Sequence, residues 1–241
     1  MARRHGEPLR SAASGSRALA PLRPPALAAH TAPRHYPVFL DLAGRACLVV
    51  GGGSVAEAKV AGLRDAGASI TVVSRTLTPR LTTWRRHGTL RHLAREYRPG
   101  DASGHPLVFV AIGDPAVTEA VTQDARHHGA WVNAADDPVR CDFILPSVLR
   151  RGRLAVAVST GGACPGLARA IREELETRFP AADALLIELA AEVRQALRAR
   201  GRPPQGNAWR RALDPRLRQL LTDGHRDKAR AWLERRVGAD G

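Results

Sequence analysis

Lysine is almost missing from this chain of 241 residues: Lys59 and Lys228 are the only two. Aromatic residues make up 4% of it, and there are three cysteines, at positions 47, 141 and 164. Each shortage excludes something. So few rings leave little material for a base-stacking platform. Three cysteines without a CxxC pair argue against a disulfide framework and against a thiolate-held zinc. No apolar run approaches the roughly 18 residues a membrane helix needs, so no membrane partner is expected. Acids are short as well: 23 Asp and Glu against 37 Lys and Arg give a formal charge of +14. Nearly all the cations are Arg in an Ala-rich chain, which a GC-rich coding sequence produces anyway. The charge therefore does not single out nucleic acid, and a polyanionic small molecule fits it equally. The nine histidines show no metal spacing, since His127 and His128 are adjacent and do not share a helix face. No metal site is expected.

What remains is enough for a core, with 44% apolar residues. Residues 1–35 stand apart, carrying six Arg against the single acid Glu7, with Pro21, Pro24, Pro25 and Pro33 breaking any periodicity. A disordered basic extension is expected there. From Tyr36 the pattern becomes an alternation. Ala46–Val50 reads as a buried strand, Ser54–Ala66 as a helix ended by Gly67, and Ile70–Val73 as the next strand, the size of one βαβ unit. Leu107–Ile112, a helix over Ala116–His128, and Ala130–Asn133 continue it. The fold class expected is α/β, with a Rossmann-like, doubly wound parallel sheet. Beyond Pro138, Phe143–Val148 and Leu154–Val158 read as a hairpin-like pair with Arg150–Arg153 between them. A helix from Leu167 to about Arg178 comes next. From Ala181 the chain reads as helical, with Leu185, Leu186, Leu189, Val193 and Leu197 as one stripe, a break at Gly201–Gly206, and short helices around Trp209–Leu221 and Arg226–Val237.

Three motifs carry chemistry. Gly51-Gly52-Gly53-Ser54-Val55-Ala56 fits G-x-G-x-x-G/A between a strand and a helix. Gly51 permits the tight turn, Gly53 lets backbone approach a pyrophosphate, and Ala56 allows close packing. The acid that usually ends the second strand is replaced by Ser74-Arg75-Thr76. Hydroxyls hold a ribose there, or Arg75 meets a 2′-phosphate, or Arg75 is one more exposed Arg. Asn133-Ala134-Ala135-Asp136-Asp137-Pro138 follows a strand and so lies at the carboxyl edge of the sheet. Adjacent acids on extended chain point apart, so one of them is expected to face a pocket as acid or base; a plain Asp turn explains the pair equally. Ser159 to Gly166 (STGGACPG) again joins strand to helix and suits an anion. Cys164 lies near that helix start, where a thiol can be activated, although a buried, inert Cys is the reading preferred for it.

In this order and spacing the motifs resemble the siroheme-synthase N-terminal family, precorrin-2 dehydrogenase and in part sirohydrochlorin ferrochelatase. The matching stretches are Tyr36–Lys59, Asn133–Pro138, Phe143–Ser147 and Ala157–Arg169. The resemblance implies NAD-dependent oxidation of precorrin-2 in siroheme or cobalamin synthesis, with Asp136 as the catalytic base. In bifunctional members the same carboxylate assists Fe²⁺ insertion. Gly51, Gly52, Gly53, Ser54, Val55, Thr76 and Leu77 are the expected NAD positions. Asn133, Ser159, Thr160, Gly161 and Gly162 are expected against the substrate. A cytoplasmic homodimer is implied, with an extension at 1–35, the NAD domain at 36–145, a dimerisation region at 146–180 and a small helical domain at 181–241. Thr160 and Cys164 stand where relatives commonly carry Ser, which bears on regulatory phosphorylation and not on the dehydrogenase. The methyltransferase domain of the fused siroheme synthases has no counterpart in these residues, so that step is expected to fall to another protein. A substrate with eight carboxylates suits the basic charge, and no nucleic-acid partner is expected. A non-catalytic dinucleotide-sensing module is the competing reading; it leaves Asp136 and the Ser159–Gly166 loop unused.

Overall fold

The computed structural model describes residues 35–202, 208–210 and 214–238. The expected basic extension and most of the break at Gly201–Gly206 lie outside the described residues. Five parallel strands form one sheet, β1 (Ala46–Val50), β2 (Ser69–Ser74), β3 (Arg91–Ala94), β4 (Leu107–Val110) and β5 (Trp131–Ala134), in the order β3-β2-β1-β4-β5. Helices α1 (Ser54–Asp65) and α2 (Pro79–Arg86) connect β1, β2 and β3, and α3 (Pro115–His127) connects β4 to β5.

The apolar runs alternate between two cores because both sheet faces are covered. Val49, Val72 and Phe109 pack with Ala56, Val60, Leu81 and Trp84 on the α1–α2 side. Leu48, Val50, Val108 and Val132 pack with Val121 and Ala125 on the α3 side. Each fully buried Val or Leu of this kind stabilises by about 1.5–3 kcal/mol.

Two elements go beyond the expectation. β3 is RHLA, too short and polar to show an alternation; it is a strand because β2 offers it a backbone ladder, Thr71 to Arg91 through Ser74 to Ala94. α2 buries only Leu81 and Trp84, and it starts where Thr78 Oγ1 accepts from Leu81 N at 3.1 Å, with Pro79 just inside.

The hairpin is corrected in register. Its first strand is β6 (Ser147–Arg151) rather than Phe143–Val148, and it pairs antiparallel with β7 (Leu154–Val158). Pro146 has no N–H to give a ladder, so pairing begins after it. Arg150 and Arg151 belong to the strand, and the turn is Gly152-Arg153 alone, with Gly152 at φ +54°. α4 (Pro165–Arg178) follows.

The C-terminal core joins α5 (Ala182–Ala199), α6 (Pro215–Thr222) and α7 (Arg226–Gly238). Leu186, Leu189, Val193 and Leu197 are buried there as expected, whereas Leu185 is exposed. Asp183, buried on α5, accepts two hydrogen bonds from the Arg218 guanidinium of α6, at 2.7 and 3.1 Å. Removing one member of such a pair strands the other without a partner. Asp183→Ala is expected to cost about 3 kcal/mol in denaturant unfolding, and a loss below 1 kcal/mol would show the pair to be dispensable.

Candidate active site

A parallel sheet brings all its carboxyl ends to one edge. Here β1 is the point where the chain order reverses, with β2 on one side and β4 on the other. That edge gathers the glycine turn after β1, Arg75–Leu77 after β2 and Asp136 after β5.

The three glycines serve different needs. Gly51 has φ +124°, and a Cβ on it would lie 2.3 Å from the Ala111 carbonyl oxygen, so strand spacing and turn both demand glycine. Gly52 has ordinary φ, but a Cβ there would stand 1.9 Å from the Thr76 carbonyl oxygen. Its own carbonyl accepts from Thr78 N at 3.0 Å, so the stretch after β2 crosses directly over the turn. Gly53 has open space where its Cβ would be. It is the N-cap of α1 in extended conformation with no side-chain cap, which leaves the first-turn N–H groups and the positive end of the helix facing that space. Ser54 and Val55 are exposed beside it. The glycine cradle, the uncapped helix start and the bare Gly53 fit a dinucleotide pyrophosphate. Thr76 is exposed at the same edge, and Leu77 is half-buried against the α1-side core.

At the end of β5 the two acids have separate fates. Asp137 is paired to Arg140, and Arg140 is held from its other side by Glu119 of α3, Nε to Oε2 at 2.5 Å. These two carboxylates raise the Arg140 pKa, and Arg140 in turn holds Glu119 below the usual carboxylate range. Asp136 is exposed and has neither hydrogen bond nor ion pair among the described residues. It is the single non-glycine residue at positive φ among them, at +59°. It is the third residue of a turn closed by Asp137 N, which donates to Ala134 O at 3.4 Å, a place where the left-handed region is usual and Asp tolerates it, so the turn aims the side chain away from the strand. The loop is folded back on its strand by Asp142, whose N–H donates to Val132 O and whose Oδ2 accepts from Val132 N, each at 2.8 Å.

Lys59 is a neighbour the motif reading passed over. It sits on α1 one turn after Ala56, half-buried. Burial pushes its pKa down, while Cys141 and Asp136 pull it up, so its ammonium shares the electrostatic surroundings of the free carboxylate. Only its place in a helix beside a buried Ala and Val was visible in sequence.

Asn133 is buried rather than open. Its amide donates to Phe143 O at 2.9 Å, and its Oδ1 has no partner. Ser159 Oγ accepts from Gly161 N and Thr160 Oγ1 from Cys164 N, both at 3.0 Å, so these hydroxyls shape their own loop. Among the described residues no hydrogen bond or ion pair joins that loop to Asp136. Cys164 is exposed, against the expectation of a buried thiol. Burial pushes Cys47 up to about 11, which leaves it a packing residue. No group of three or more potential metal-binding side chains occurs among the described residues, nor any helix long and apolar enough to cross a membrane.

Two stretches of the chain match known families. Residues 38–147 match the family described as putative NAD(P)-binding, and residues 151–178 the sirohaem biosynthesis protein central family. The siroheme synthase of Methylobacillus flagellatus is 39% identical over 207 residues, 85% of this chain and 44% of that protein. That of Methylococcus capsulatus is 38% identical over 201 residues, 83% of this chain and 42% of that one. The chain thus spans less than half the length of these relatives. Among solved structures, SirC, precorrin-2 dehydrogenase, superposes with a TM-score of 0.68 at 28% identity, covering 83% of this chain and all of that one. With both segments present in the same order, the chain belongs to the siroheme-synthase N-terminal family.

Proposed function

We propose that this chain is an NAD-dependent precorrin-2 dehydrogenase of siroheme or cobalamin synthesis. The observation that carries the reading is the unpaired carboxylate of Asp136 at the same sheet edge as the open Gly53 cradle. Family membership and the likeness to SirC support it. Oxidation of precorrin-2 to sirohydrochlorin removes a hydride and a proton. Bound NAD⁺ supplies the hydride acceptor. Gly51 to Val55 hold its pyrophosphate, and Thr76 and Leu77 its adenosine side. Asp136 takes the proton, and its exposure lets that proton pass to water. Arg150 and Arg153, both exposed, offer cations to a polycarboxylate.

The reading includes a homodimer. Tyr36 and Phe39, in the extended segment before β1, are 87% and 71% exposed, and Leu167 on α4 is 52% exposed beside the half-covered hairpin. A second copy that covers this surface would also bring a Ser159–Gly162 loop to the substrate. The same reading divides the chain at 145 and 180 into NAD-binding, dimerisation and helical parts. Three free cysteines suit a reducing cytoplasm. Fe²⁺ insertion rests on the resemblance alone and forms no part of the reading.

The test mixes purified protein, precorrin-2 and NAD⁺. Equimolar NADH and sirohydrochlorin are expected; NAD binding without turnover would make the chain a sensor instead.

A further inference from the structure

We propose that Glu96 selects the non-phosphorylated dinucleotide by holding Arg75 in an ion pair at the adenosine corner of the site. The proposal rests on the dinucleotide reading above and goes beyond it to the choice of cofactor.

β2 ends at Ser74 without the usual acid. Ser74 Oγ is already spent: it donates to Thr76 O at 2.8 Å and lies 3.2 Å from His92 Nε2, which also reaches Ser74 O at 3.0 Å. That leaves Arg75 and Thr76, both exposed, to meet the ribose. An arginine at this place is the residue that accommodates a 2′-phosphate. Arg75 Nη2, however, stands 3.4 Å from Glu96 Oε1. Glu96 comes two residues after β3, whose last residue Ala94 lies opposite Ser74. The acid that β2 lacks is therefore supplied by the stretch that follows the neighbouring strand.

Two arginines from the same stretches, Arg95 and Arg80, have partners of their own. Arg95 makes a double hydrogen bond to Asp101, each at 2.7 Å. Arg80 lies 3.6 Å from Glu57 and stacks over Trp84. A 2′-phosphate would have to part Arg75 from Glu96 and then sit beside the carboxylate, a like charge. A 2′-hydroxyl carries no charge and meets no such penalty. The pair is largely exposed, at 78% and 73%, so it adds little to folding stability and its removal leaves the fold in place.

Titrating NADH and NADPH by fluorescence into wild type, Glu96→Gln and the Glu96→Gln/Arg75→Ala double variant tests this. Wild type is expected to prefer NADH by about tenfold, and Glu96→Gln to tighten NADPH by about tenfold while NADH stays within about twofold. The double variant is expected to lose that gain. High salt is expected to erode it, because the charges are exposed. A wild-type preference for NADPH, or a Glu96→Gln variant with an unmoved NADPH/NADH ratio, overturns the proposal. Failure of wild type to bind either dinucleotide overturns the dinucleotide reading itself and this proposal with it.

Discussion

Replacing Asp136 by Asn is expected to slow NAD-dependent oxidation of precorrin-2 by about 10²–10⁴-fold, the range a positioned general base contributes. Melting temperature and NADH affinity are expected to stay near wild type. Asn keeps the shape of the side chain and is among the few residues at ease in the left-handed region, so φ +59° is no obstacle to it. What it lacks is the ability to accept a proton. Asp137 does not replace its neighbour, because Arg140 and Glu119 hold it in a closed network. Asp137→Asn is thus expected to keep the rate within a few-fold. Asp136→Gly separates chemistry from backbone cost: it is expected to lose turnover and to gain about 0.4–1 kcal/mol of stability, because glycine adopts the left-handed region without strain. Asp136→Asn turning over at the wild-type rate would sink the assignment of the base.

The second large effect is a contrast between adjacent glycines. Gly53→Ala adds a methyl to open space, so melting is expected to be unchanged. The same methyl stands where a pyrophosphate must come close, and NADH affinity is expected to fall by more than about tenfold. Gly52→Ala drives its methyl to 1.9 Å from the Thr76 carbonyl oxygen, a backbone atom with no rotamer to yield. A loss of about 3 kcal/mol is expected, measured by denaturant unfolding, whether or not dinucleotide is present at low concentration. If Gly53→Ala binds NADH as wild type does, the cradle is not where the cofactor sits.

The strands that position the site were readable because their apolar runs are local. ACLVV, ITVV and LVFVAI announce burial on both faces, and glycine follows the first of them at once. β3 was not readable, since RHLA is a strand only by virtue of the β2 ladder beside it. The start of β6 was misjudged because Phe143 and Ile144 look like strand residues, while Pro146 withholds the ladder until Ser147. Leu185 seemed one of a stripe of five, but successive residues on a helix point about 100° apart, and the stripe keeps Leu186 and turns Leu185 outward.

The sequence by itself determined which chemical groups this protein brings to the carboxyl edge of its sheet: a glycine cradle, a helix start, two acids and an arginine where an acid is usual. These follow from short spacings, because turn, cap and strand are decided by residues close together in the chain. Only the tertiary structure decided which of those groups is at liberty. Asp137 is paired with an arginine that Glu119 of α3 holds in place, Gly52 is pinned by the stretch after β2, Arg75 meets an acid from the stretch after β3, and Lys59 on α1 adds its charge to the surroundings of Asp136. Each of these partners lies on another element or arrives through one. Charge pairing and steric fit act through space, whereas sequence periodicity records only what lies within a few residues along the chain.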